Sequence, residues 1–317
     1  MSPAAEQQKY VHYLLFSIGA TALTLVLLVA TGSLGVAGFL LVALIAVPAA
    51  YVHMRFGTAA ATTTVVLVAF GSHLLDGMTG SIGYLLQFGL VALILPYLLR
   101  RGWPWARSVA VSVAFIVLVS YLFLAGYAGM IDSTVSGQID SFADTQVEQA
   151  MALYANSDLK PEQVDELRSA AEQMADYLRY AYFGAAVTIT GLLAMLLLWL
   201  LSVAARGDYR IPVAGFQDWK APEMLVWALI AAGFISYFAA GDLRQAAVNL
   251  LIILLPVYFI QGFAIVVNFL NRRQIPPIMR GCAYVLIAFF NPLPIIVTGI
   301  GVFDLWVDFR KPRVKTT

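Results

Sequence analysis

The 317-residue chain is 61% hydrophobic and 12% charged, with a mean hydropathy of +0.82, far from the roughly 45–50% apolar and 25% charged make-up of soluble domains. A water-soluble globular fold is excluded. The net charge of +1 comes from opposite charges segregated along the chain, and the single Cys282 supplies neither an internal disulfide nor a thiolate metal set.

A helix crossing a hydrocarbon layer about 30 Å thick needs about 20 mainly apolar residues. Such runs occupy residues 11–30, 34–53, 58–75, 80–99, 108–128, 180–204, 222–240, 245–270 and 281–303. The sequence therefore predicts an all-α, polytopic membrane protein of about nine spans. The first run lacks a small-residue cleavage site and a second follows at once, so it reads as a retained helix with Gly32-Ser33 as the turn. In the second run Ala46 and Ala50 are four apart, and small residues at that spacing allow close helix contact, within the chain or with a partner. His53 and Arg55, at its inner end, read as head-group contacts. Thr58, Thr62, Thr63 and Thr64 are expected to bond back to their own helix. His73 and Asp76 share a face but fall short of a metal ligand set. Gln87 is a polar residue deep in the fourth run, and Trp103 and Trp105 beside Arg100, Arg101 and Arg107 read as an interfacial belt.

Residues 129–179 differ from the rest, with ten acids against three bases. Val164, Leu167, Ala171, Met174 and Leu178 step by three and four, and Ala143, Val147, Ala150, Met151 and Tyr154 form a similar stripe. Pro161 and Glu162 suit a first helical turn. A helical hairpin is predicted here, capping the external side. In the eighth run Gln261 and Asn268 share a face while Asn249 points elsewhere. These amides either line a cavity for a polar ligand or cross-link helices. Asn291-Pro292-Leu293-Pro294 interrupts the ninth run, because two prolines remove backbone donors. The run is then a kinked span or a re-entrant hairpin, and the kinked span is the expectation. Gly299 and Gly301 follow the break and permit close packing.

Lys and Arg are retained on the cytoplasmic side. An inside N-terminus gathers Lys9, Arg55, Arg100, Arg101, Arg107, Arg206, Arg210, Lys220, Arg272, Arg273 and Arg280 on that face and leaves the acidic insert outside. The tail breaks the pattern, since nine crossings put Arg310, Lys311, Arg313 and Lys315 outside. The division expected is a membrane region at 1–128, an acidic extracytoplasmic insert at 129–179 and a second membrane region at 180–317.

The run Trp219-Lys220-Ala221-Pro222, Tyr258-Phe259-Ile260-Gln261-Gly262, Asn291-Pro292-Leu293 and the terminal Asp304-Leu305-Trp306-Val307-Asp308-Phe309-Arg310 resemble the YybS-like family of bacterial membrane proteins, a domain of unknown function. That family is distantly similar to the S subunits of energy-coupling-factor vitamin transporters. The resemblance implies a bacterial cytoplasmic membrane, a small-molecule ligand, and a docking role for Ala46 and Ala50 toward a coupling partner. Asp304 and Asp308, four apart, are expected to orient Arg310 or Arg280.

Gln87, Asn249, Gln261, Asn268 and Asn291 are thus the candidate ligand residues, and Ala46, Ala50, Asp304, Asp308 and Arg310 the candidate partner or gating contacts. No catalytic constellation, cofactor motif or metal set is present in the sequence, and no nucleic-acid motif. The expectation is a non-enzymatic protein of the bilayer, a small-molecule transporter or its solute-binding subunit. A scaffold binding an envelope partner through the acidic insert is the alternative.

Overall fold

The computed structural model describes residues 3–34, 38–154, 160–205, 209, 211 and 215–310, and every regular element among them is helical. Long apolar runs leave the backbone no solvent partner in lipid, and a helix satisfies each N–H and C=O within its own segment. In chain order the elements are α1 (Pro3–Ser33), α2 (Phe39–Val42), α3 (Val47–Phe56), α4 (Thr58–Tyr84), a π turn (Leu85–Gly89), α5 (Leu90–Arg100), α6 (Trp105–Met130), α7 (Val135–Tyr154), α8 (Pro161–Ala204), a 3₁₀ turn (Phe216–Asp218), α9 (Met224–Phe238), α10 (Gly241–Arg272), α11 (Pro277–Phe289) and α12 (Leu293–Val307). The Gly32-Ser33 turn is instead the last turn of α1.

Length and apolarity qualify five continuous runs as spans: Tyr13–Ser33, Thr58–Arg100, Trp105–Met130, Glu162–Ala204 and Gly241–Arg272. The pair α11 and α12 makes a sixth if counted as one. The nine expected crossings are not reached, for three local reasons. The second run breaks into a four-residue α2, i→i+3 bonds such as Leu44 N–H to the Leu41 carbonyl, and α3 with Pro48 at its head. At 15 residues, α9 is only about 22 Å long. Finally, α11 and α12 meet at a 98° bend.

The 43-residue run Thr58–Arg100 is not one rod. Gly77 takes φ 68° and ψ −157°, a region open to glycine. Beyond it, the Ser81 hydroxyl donates to the Ala69 carbonyl at 2.9 Å, although twelve residues of straight helix would separate them by about 18 Å. A Cβ on Gly89 would also sit 3.1 Å from Val65. The chain folds back at Gly77 into two antiparallel helices, as the separate runs 58–75 and 80–99 require.

The chain divides into two compact units, residues 1–132 with 189–213, and residues 133–188 with 214–317. In the first, α3 lies against α1, α4 and α5, with Ala20, Val52 and Ala60 buried between them. Arg100 closes the end of α3, donating to the His53 and Met54 carbonyls at 2.6 and 3.1 Å. His53 is fully buried, its ring nitrogens 3.4 Å from the Ala92 carbonyl and 3.2 Å from the Thr58 hydroxyl. It is therefore an internal cross-link, which corrects the head-group reading. Arg55 does lie outward, over the Phe16 and Phe56 rings. Thr63 and Thr64 bond to carbonyls one turn back, as expected. Trp103 carries Arg107 over its ring, whereas Trp105 is buried.

In the second unit α7 and the first half of α8 are bound side by side through Arg179, which reaches Asp140 at 3.5 Å, Asp144 at 2.5 Å and Asp176 at 2.7 Å. Ala143 and Ala175 are buried between them. The seam of α8 passes through Ala175 and leaves Met174 exposed, since the helical stripe advances by four there. The rest of this unit is built on α10, packed by α9 and α12.

Candidate functional site

The polar residues of α10 sit on two faces. Asn249 looks toward α8: its Oδ1 accepts from Gly184 N–H at 2.6 Å, and its Nδ2 donates to the Tyr180 and Gln245 carbonyls at 3.0 and 2.9 Å. Thr188 reinforces the contact with a bond to the Ile252 carbonyl. Gln261, buried, looks the other way. Its Oε1 accepts from Ala221 N–H at 3.0 Å and its Nε2 donates to Asp304 Oδ2 at 3.3 Å.

Asp304 is the deepest charge in this unit, with no exposed surface. It is held because α12 ends just beyond it. Asp308 adopts the left-handed conformation (φ 44°, ψ 69°), which Asp tolerates better than most residues, and this turns Phe309 N–H back onto Asp304 Oδ1 at 3.1 Å. Arg310 then folds over the helix end, 3.5 Å from Asp304 and donating to the Gln217 and Trp219 carbonyls at 3.0 and 2.8 Å. Asp308 pairs instead with Lys220 at 3.3 Å. The two acids thus part company at the helix end, and Arg280 turns to Asn271 rather than to either of them.

A buried charge costs several kcal/mol unless paired and hydrogen-bonded, so this knot holds three segments together: the 216–221 loop, α10 and the end of α12. Backbone contact supports it. A Cβ on Gly262 would overlap the Val297 carbonyl, and one on Gly301 the Tyr258 carbonyl. Gly301 thus performs the close packing expected of it, while Gly299 has open space around it.

The same contacts decide the path of the broken ninth run. Arg280 of α11 bonds to Asn271, and the Tyr284 ring lies tilted against Phe263, centroids 5.1 Å apart. After the bend, Val297 and Gly301 cross Tyr258 and Gly262, near the middle of α10. The chain then returns until the Arg310 carbonyl accepts from Arg272 at 2.9 Å. The pair thus starts and finishes at one end of α10, bent by 98° between α11 and α12. Arg310 is thereby placed beside Arg272.

Of the five candidate ligand residues, Gln87 lies in the π turn of the first unit and the other four in the second. Asn249 and Gln261 are engaged as described, and Asn268 donates to Asp218 at 3.4 Å. Asn291 is exposed at the bend. Ala46 and Ala50 are buried within the first unit, so their contacts are within the chain. An open groove of about 540 Å³ there, lined by Leu15, Phe16, Ala20, Pro48 and Val52 among others, is apolar. Gln217, Trp219 and Lys220 escaped the sequence reading as site residues, since two of them act through their backbone or neighbouring carbonyls, which leave no pattern in side-chain identity.

Apolar helices of spanning length, a bent helix pair and a buried ion pair at its end define a multi-pass α-helical membrane protein. The chain belongs to the family described as "Predicted membrane protein (DUF2232)", whose model matches residues 22–305. No curated protein and no solved structure matches it.

Proposed function

We propose that the protein is a small-molecule transporter or the solute-binding membrane subunit of one, with the re-entrant pair α11–α12 as its solute-handling element. The observation that supports this is the break at Asn291-Pro292, just ahead of the crossing of Val297 and Gly301 with the middle of α10. Pro292 has no N–H to give the Ala288 carbonyl. Non-helical backbone at membrane depth is tolerated where protein covers it or where it lines a watered cavity. Broken helices near the midplane are where many transporters hold their solutes. Asn291 brings an amide to that point, while Phe289 and Phe290 expose their rings around it.

The likeness of the terminal motif to the YybS-like family, and of that family to the S subunits, points the same way as an analogy of fold. In this reading the end carrying Arg272, Arg273, Arg280 and Arg310 faces the cytoplasm of a bacterial cell and α7 with the start of α8 faces outward. The reading assigns no enzymatic step and no cofactor.

The test is thermal unfolding of the detergent-purified chain against a broad metabolite panel, followed by uptake into proteoliposomes. At least one solute should raise the unfolding temperature, and Asn291→Ala should remove the rise while leaving the solute-free value within a few degrees. A panel with no stabilising solute and no uptake overturns the proposal.

One observation favours the scaffold alternative. Glu148, Asp165, Glu166 and Glu172 are exposed on the α7–α8 pair, leaving an acidic face for a basic envelope partner. Crosslinking that captures a defined partner, lost on neutralising those four acids, would support it.

A further inference from the structure

We propose that the base of the re-entrant pair binds the phosphate of an anionic phospholipid, held by Arg272, Arg273 and Arg280; this stands apart from any solute role. Five cations meet at that end, counting Lys220 and Arg310, but only those two have carboxylate partners among the described residues, Asp308 and Asp304. The other three are held in place by neutral groups. Arg272 donates to the Arg310 carbonyl, Arg280 to the Asn271 side chain, and Arg273 lies over the Phe269 ring at 5.5 Å. Asn271 also donates to Gln217 at 3.0 Å, which ties Arg272 and Arg280 into the same network as Arg310.

A second observation points to a missing acceptor. The Nε–H of Arg280 is buried and has no hydrogen-bond partner among the described residues. An unmet buried donor is costly, and a guanidinium offers Nε and Nη as a fork that matches two phosphate oxygens. The surroundings select a lipid phosphate over a free one. Phe269, Ile278, Met279 and Trp306 are all exposed around the cluster, the apolar and aromatic girdle found where helices pass the head-group layer. Basic pockets between helices at that level take anionic head groups.

The full-length protein in neutral detergent is titrated with phosphatidylglycerol, phosphatidylcholine and inorganic phosphate, reading bound lipid by native mass spectrometry and the unfolding temperature. Phosphatidylglycerol should bind and stabilise, the other two should not. Arg273→Gln should weaken it about fivefold and the triple variant R272Q/R273Q/R280Q about a hundredfold. Arg168→Gln, on the acidic helix pair, should bind as the parent does. Should the triple variant fail to fold, Arg273→Gln decides alone, because its side chain rests on a ring rather than in the buried knot. Equal response to phosphatidylcholine, equal response to inorganic phosphate, or unchanged binding by Arg273→Gln each overturns the proposal.

Discussion

Asp304 and Asp308 are chemically identical, share a helical turn in sequence, and have opposite fates. One is sealed among Gln261, Phe309 N–H and Arg310, and the other makes a half-exposed pair with Lys220. Removing one member of a buried pair leaves the other charge without compensation, whereas an exposed pair is worth at most about 1 kcal/mol. Asp304→Ala should therefore cost about 3–5 kcal/mol and Asp308→Ala less than a third of that, measured as chemical or thermal unfolding in detergent. Equal losses would mean that the ion pair is not desolvated in the membrane. The sequence marked both acids and Arg310 as connected, but the partner each acid takes depends on the left-handed turn at Asp308 and on a loop whose bonds to it span 88 to 93 residues of chain.

Helix pairing depends on the size of a few residues. The backbones of α10 and α12 touch at Gly262 and Gly301, so a methyl there must push the helices apart. Gly301→Ala should lower the unfolding temperature by several degrees, while Gly299→Ala, with open space around it, should be neutral or slightly stabilising because alanine favours helix by about 1 kcal/mol. Matching effects at both positions would deny the close crossing. The α7–α8 seam was legible in advance because amphipathic spacing survives in any environment. Runs two, seven and nine stand apart from the five continuous spans for reasons that hydropathy, which measures only apolarity, does not carry: the i→i+3 turns before Pro48, the 15-residue length of α9 and the bend at Pro292.

Across the whole molecule, the return of the chain to Arg272 brings both ends of the α11–α12 pair to one end of α10. In a Cys282→Ala background, Arg273→Cys and Phe309→Cys should react with an impermeant maleimide from the same side and Gln146→Cys from the other. Labelling of positions 273 and 309 from opposite sides would make the pair a crossing span. Composition and apolar run length by themselves determined that this chain lives in a bilayer as helices, since burying about 20 apolar residues at a stretch leaves the backbone no other way to satisfy its hydrogen bonds. Which runs cross, where Gly77 and Asn291-Pro292 turn the chain, and that Asn249 and Gln261 bind helices together were decided only by tertiary contacts. An amide or a bend has the same identity in a sequence whatever it faces, and its role is set by the partner that packing brings within about 3 Å.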